Sequence, residues 1–332
     1  MKRHLGTVLL TLSTLGRAAA QDAGSTLAAL AERADLVVRA TVVAATDPSP
    51  QWHRMQFASV QVLKGTAAAT FELLEPAGAC CGRSLFALQI GDERLLFLRR
   101  TGQTLHPLGG ARGVLPAEAA VVAHVSALLA APDAAARAAV LTAGLAADAP
   151  RVADDAAQAL STLPQLSLGS PQRAAITTAL GDAVRRGSTR TAPLVEVLAR
   201  LGDDASLDAC LPIYLDTPRD DQAALLRRGL ARGGTLAVAT RLPLHVDSDD
   251  QRVQRAAELL AELPPEHARP ALQRLLLAAP HPRVQLTLTA GLLAAGLRPA
   301  ELAPLVPAPV LELAQNRHDR PRPLRVVRPD RK

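Results

Sequence analysis

The chain has 332 residues, enough for about two domains, and is 48% hydrophobic but only 2% aromatic, so its core must be built from Leu, Val and Ala. Its formal charge of +6 is a property of its ends: without Lys2, Arg3, Arg17 and the seven basic and two acidic residues of 317–332, 27 basic residues face 29 acidic ones. A neutral body with few rings argues against nucleic acid as a partner, which needs a basic face and usually stacking aromatics.

In chain order, residues 1–20 read as a secretory signal. Lys2, Arg3 and His4 make a basic start, Leu5–Gly16 is a short apolar run, and Ala18-Ala19-Ala20 is a small-residue cleavage site. The expected location is exported, with cleavage near Ala20; Arg17 beside the cut leaves an uncleaved anchor open. The run is too short to span a bilayer, and no later segment is apolar and long enough for a transmembrane helix. Residues 21–110 then read as a small β-barrel domain. Ser25–Arg33 predicts a helix with a Ser cap. Asp35–Ala45, Met55–Leu63, Thr70–Leu74, Leu85–Ile90, Leu95–Arg99 and Thr104–Leu108 predict short strands, with a bulge near Ala58-Ser59 where the alternation changes phase. Asp47–Pro50 reads as a loop, Gly91-Asp92 as a tight turn, and the Gly-rich run Gly109–Gly113 marks a linker set at 111–116.

The stretch Ala34-Asp35-Leu36-Val37-Val38, then Val60-Gln61-Val62-Leu63-Lys64-Gly65, then Cys81-Gly82, Gly91 and Leu95–Leu98 resembles an exported bacterial barrel domain. That domain is related to netrin-like modules and tissue inhibitors of metalloproteinases. The resemblance implies an OB-type barrel and a binding role outside the cytoplasm. It does not carry protease inhibition over, because the inhibitors begin with a zinc-binding Cys and here Gln21 would be first.

Residues 117–315 are Ala- and Leu-rich helical segments cut by Pro, Gly and Asp. Arg151, Arg219, Arg252 and Arg283 each open an apolar stretch, at separations of 68, 33 and 31 residues. The first separation is two units long, with a poorly matched unit near Arg185–Arg190, so the region has the period of a stacked helical repeat. Val253, Ala256, Ala257 and Leu260 fall at i, i+3, i+4 and i+7, one stripe toward a neighbour. Ser248 with Gln251, Ser170-Pro171 and Thr217-Pro218 read as helix starts; Gly202, Gly233 and Gly296 read as stops. The Asp-or-Pro-x-Arg-Val pattern with following Ala-Ala and Leu resembles bacterial HEAT-like repeats, which implies an α-α solenoid. The fold class expected is therefore α+β multidomain: an OB-like barrel, then a HEAT-like solenoid, then a disordered basic tail over 316–332.

The candidate binding residues are Trp52, the lone Trp, and the repeat arginines Arg151, Arg219, Arg252 and Arg283, whose simpler role is to cover helix starts with their stems. Cys80, Cys81 and Cys210 supply a disulfide or thiols, with a bridge to Cys210, a strained adjacent ring and buried thiols all open. A metal site from Cys80, Cys81, His53 and His106 lacks ligand spacing, so no metal is expected; no cofactor motif appears either. His124, His245, His267 and His281 read as solvated or capping residues. Asp154-Asp155, Asp203-Asp204, Asp220-Asp221 and Asp249-Asp250 read as charges within or near the first turns of helices rather than catalytic pairs. These features predict a non-catalytic protein-binding scaffold or adaptor acting through the solenoid, with the tail offering contact to an anionic surface. The alternative is an inhibitor-like or thiol- or metal-binding module centred on the barrel.

Overall fold

The computed structural model describes residues 26–49, 52–76, 88–164, 167–247, 249–279 and 281–319. The signal segment, the Cys80-Cys81 pair and the tail beyond residue 319 lie outside them, as does residue 25, expected as the first cap. The chain divides into two units, Met1–Leu168 and Gly169–Lys332.

The first unit opens with α1 (Leu27–Arg33), capped by Thr26, whose Oγ1 accepts the Ala29 N–H at 3.2 Å. An antiparallel sheet follows, from β1 (Leu36–Ser49), β2 (Trp52–Lys64), β3 (Thr70–Pro76), β4 (Glu93–Thr101), β5 (Thr104–Pro107) and β6 (Val114–Pro116). The order is β3-β2-β1-β4-β5, with β6 also on β4. The sheet curls into a half-barrel, and among the described residues no pairing closes it. The strands run past the expected loop, with Ser49 opposite Trp52. The bulge lies where the phase changed: Arg39 faces Gln61 and Ala40 faces Ser59, leaving Val60 extra. Leu88–Ile90, read as part of a strand, is irregular and leads into the turn at Ile90-Gly91.

Two corners of this sheet explain the Leu63-Lys64-Gly65 motif. Lys64 Nζ donates to the carbonyls of Ala31 at 2.9 Å and Glu32 at 2.8 Å, capping the end of α1 where a cation suits the helix dipole. Gly65 has φ +77°, and a Cβ there would stand 2.3 Å from the Asp35 carbonyl oxygen.

Both sheet faces are buried in the middle. The inner face packs Leu36, Val38, Met55, Phe57, Leu73, Leu96 and Leu98, with Phe57 stacked on Phe71 at 5.4 Å. The other face presents Val37, Leu95 and Phe97 to Leu27 and Leu30 of α1, to Val121, Val122 and Val125 of α2 (Ala119–Ala130), and to Val152 of α4 (Pro150–Thr162). These helices belong to the sheet's own core, and α3 (Ala134–Gly144) belongs to the same unit. The reading of 111–116 as a linker is corrected accordingly: Gly110–Gly113 is a 3-10 turn, and Val114–Pro116 is the strand β6. The unit ends near Leu168, because a sheet buried on both faces needs helices to cover it.

The second unit is helical: α5 (Ser170–Arg186), α6 (Thr191–Leu201), α7 (Asp204–Asp216), α8 (Asp220–Gly233), α9 (Thr235–Arg241), α10 (Asp250–Leu260), α11 (Pro265–Ala278), α12 (Pro282–Ala294), α13 (Pro299–Leu302) and α14 (Ala308–Asp319). Alternate helices pack on one another: α6, α8, α10, α12 and α14 in one row, α5, α7, α9 and α11 in the other. The arrangement is repeat-like, and the unit missing from the arginine series begins at α6, preceded by Arg190. The stripe Val253, Ala256, Ala257 and Leu260 is buried, as its spacing requires. Gly202 ends α6 at φ +64° and Gly296 follows α12 at φ +85°. Thr217 is the C-cap of α7, not a start, and Gly169 rather than Ser170 caps α5.

The closest helix contact is α6 on α8. A Cβ at Gly229 would lie 2.2 Å from Val195 Cγ1 and 2.5 Å from the Ala192 carbonyl oxygen; at Gly233 it would lie 2.5 Å from Ala199 Cβ. Two glycines one turn apart on α8 thus let the backbones meet.

Candidate binding groove

The repeat arginines stand at helix starts, and each has an acidic partner. Arg151 pairs with Asp155 within α4 at 2.6 Å, and Arg219 with Asp221 at 2.7 Å. Arg252 makes a two-pronged contact with Asp216 at the end of α7, at 2.7 and 2.8 Å, and reaches Asp247 at 3.2 Å. Arg283, 86% exposed, comes within 3.8 Å of Asp250. In Arg252 and Arg283 the first turn of one helix is therefore tied to an Asp of an earlier helix in the array, all within the second unit.

The aspartate pairs act largely as caps. Asp203 accepts the Ser206 N–H at 2.9 Å and Asp249 the Arg252 N–H at 2.9 Å, while Asp204, Asp220, Asp221 and Asp250 occupy first turns. Asp154 and Asp155 lie just past the first turn of α4. Burial raises the pKa of the Asp155 carboxyl, against the opposing pull of Arg151 and the Leu27 N–H at the head of α1.

Trp52 is 45% exposed at the start of β2, opposite Pro76. Cys210 is a free thiol with no exposure, and burial pushes its pKa up to about 12, so it is chemically quiet. His106 is exposed beside Thr104, with Nε2 2.9 Å from its Oγ1. Among the described residues no three His, Cys, Asp or Glu side chains gather as a metal site. His124, read as solvated or capping, is instead buried against Gly144, and desolvation lowers its pKa.

Two polar clusters were not anticipated. Asp208 on α7 takes Arg241 Nε at 2.7 Å and Nη2 at 2.6 Å, with His245 Nε2 2.7 Å away. Those contacts, Arg241 foremost, hold the Asp208 carboxyl down at about 2. Arg255 of α10 is buried and donates through Nη1 to the carbonyls of Tyr214 and Leu215, both at 3.1 Å, at the end of α7. The Tyr214 hydroxyl donates back to the Arg255 carbonyl at 2.7 Å. The signal for this knot was an arginine inside an apolar stripe, between Val253 and Ala256. Its partner carbonyls are 40 residues away and carry no sequence mark.

Among the described residues, a concavity of about 550 Å³ lies in the second unit, along α10 and α12 and beside the end of α14. Small side chains make the space: Ala257 and Ala261 on one side, Ala290 and Ala294 on the other, with Leu286 adding an apolar surface. Its upstream end continues into a smaller hollow that shares Gln254, Arg283 and Thr287. Arg317 and His318 of α14 line it too. Its one carboxylate, Glu258, is already held by Arg227 at 2.6 Å and Gln254 Nε2 at 3.1 Å. This surface has room, apolar lining and polar groups for a ligand, but no nucleophile paired with a base.

Among the described residues, no helix is long and apolar enough to cross a membrane. No known family model, no curated protein and no solved structure matches the chain.

Proposed function

We propose that the protein is a non-catalytic, exported scaffold whose helical unit binds another protein. The observation that carries this reading is the α10–α12 groove, an open surface with small residues at its base and charge at its rim. The charged groups elsewhere are absorbed as caps and ties, as Asp203, Asp249, Arg252 and Arg255 illustrate. We read the two rows of helices as a HEAT-like α-solenoid, supported by successive packing within each row and by the arginine ties between helices. We read the curled sheet as an OB-type barrel, supported by its meandering strand order and its bulged first pair. Export rests on the sequence of residues 1–20.

The test is site-specific photo-crosslinking of the full chain in the envelope of the producing cell. The photoreactive residue is placed at Thr287 in the groove, Thr240 on the other row of helices, or Arg54 on the sheet. The reading predicts one defined protein adduct at Thr287, lost when Ala290→Trp fills the groove in a chain whose circular dichroism is unchanged. Adducts at Arg54 alone would move the function to the sheet and overturn it.

A further inference from the structure

We infer that the groove's occupant is an acidic polypeptide segment, a statement that rests on the groove being the binding surface. The charges facing the space are unequal. Glu258 is paired with Arg227, which it shares with Glu262, a residue that does not line the space. Arg283 is 86% exposed, and its only ion-pair partner among the described residues, Asp250, stands off at 3.8 Å toward the smaller hollow. Arg317 and His318 have no acidic partner within ion-pair distance among the described residues, and both face the groove. The sequence beyond α14 extends the asymmetry: 320–332 holds six basic residues and one acidic one, whatever conformation it adopts.

This distribution also rejects the most accessible competitor. The chain's own tail follows α14 in sequence, but Arg283 and Arg317 repel its arginines. A lipid headgroup layer or a sulfated glycan would satisfy the charge but not the Ala-lined channel and Leu286. An extended or helical peptide satisfies both, with small or aliphatic side chains entering between α10 and α12 and carboxylates at Arg283 and Arg317.

The experiment selects binders to the full chain from a phage-displayed random library of twelve-residue peptides. Fluorescein-labelled winners are then titrated by anisotropy, with phosphatidylglycerol vesicles and a sulfated glycan as competitors. The expected result is enrichment of Asp and Glu beside aliphatic residues, with a Kd raised about tenfold or more by Arg283→Glu with Arg317→Glu. Both sites are exposed, so these variants keep the fold, and Ala290→Trp should abolish binding. The inference is overturned by an absence of binders, by winners without acidic excess, by indifference to the charge reversal, or by vesicles or glycan displacing the peptide from the groove. Winners that lack acidic residues yet are lost in Ala290→Trp would sink the acidic partner while leaving the scaffold reading intact.

Discussion

Replacing Arg255 by Met should unfold the helical unit at markedly lower denaturant. The side chain is 5% exposed and supplies hydrogen bonds to two carbonyls at the end of α7, each at 3.1 Å. Methionine fills most of the volume but orphans both acceptors, at about 1–3 kcal/mol each. Part of that loss is offset because a guanidinium no longer has to be dehydrated. The net cost should be about 2–4 kcal/mol. Tyr214→Phe, which removes one neutral hydrogen bond from the same knot, should cost about 1 kcal/mol. The chain holds one Trp and one Tyr, and these fall in different units. Urea titrations followed by Tyr214 emission therefore report the helical unit, and selectively excited Trp52 reports the sheet. The prediction is an earlier helical transition with unchanged slope. A cost below about 0.5 kcal/mol would refute the assignment of Arg255 as the cap of α7.

Gly229→Ala should cost about 1–3 kcal/mol by the same assay, because its Cβ would meet the Ala192 carbonyl at 2.5 Å and backbone cannot step aside; a neutral effect would mean α6 and α8 sit farther apart. The Asp208 pKa is depressed, so its contribution to stability is complete above the unfolded carboxylate range and is lost as pH falls toward about 2; Asp208→Asn should flatten that acid limb in pH-dependent urea titrations. His124 also has a lowered pKa, so the unfolded chain binds its proton first and acidification from pH about 7 to about 5 should destabilise the first unit. His124→Leu should remove that slope in thermal melts, and an unchanged slope would place its origin elsewhere.

Helical spacing made the second unit legible because each helix buries one stripe, and a stripe recurs in the sequence at a fixed interval. Val253, Ala256, Ala257 and Leu260 are an example, as are the starts marked by Arg252 and Arg283. Caps were displaced by a residue or so, since Asp249 can satisfy the N–H of Arg252 without any contribution from a residue farther upstream. The boundary between units was not legible in that way. Helices α2 and α4 look like the rest of the array, and only the sheet reveals their allegiance. The clue was present: Leu36-Val37-Val38 and Leu95–Leu98 are continuous apolar runs, and a strand that shows no alternation is covered on both faces. The groove left no trace in sequence. Alanines at its base are indistinguishable from alanines in a core, and Arg317 and His318 reach it only through the packing of α14 on α12.

The glycine notch between α6 and α8 and the groove lie at different stations along the same row of helices. At the notch, backbone meets backbone, so amide protons there should be among the slowest to exchange with solvent. At the groove, alanines leave an open seam beside α14, which among the described residues is the last helix of the row and has a neighbour there on one side only. Local opening should therefore be cheapest where the ligand enters. A peptide in the seam would supply the missing contacts, and binding would be felt as a stiffening that travels from the end of the row inward.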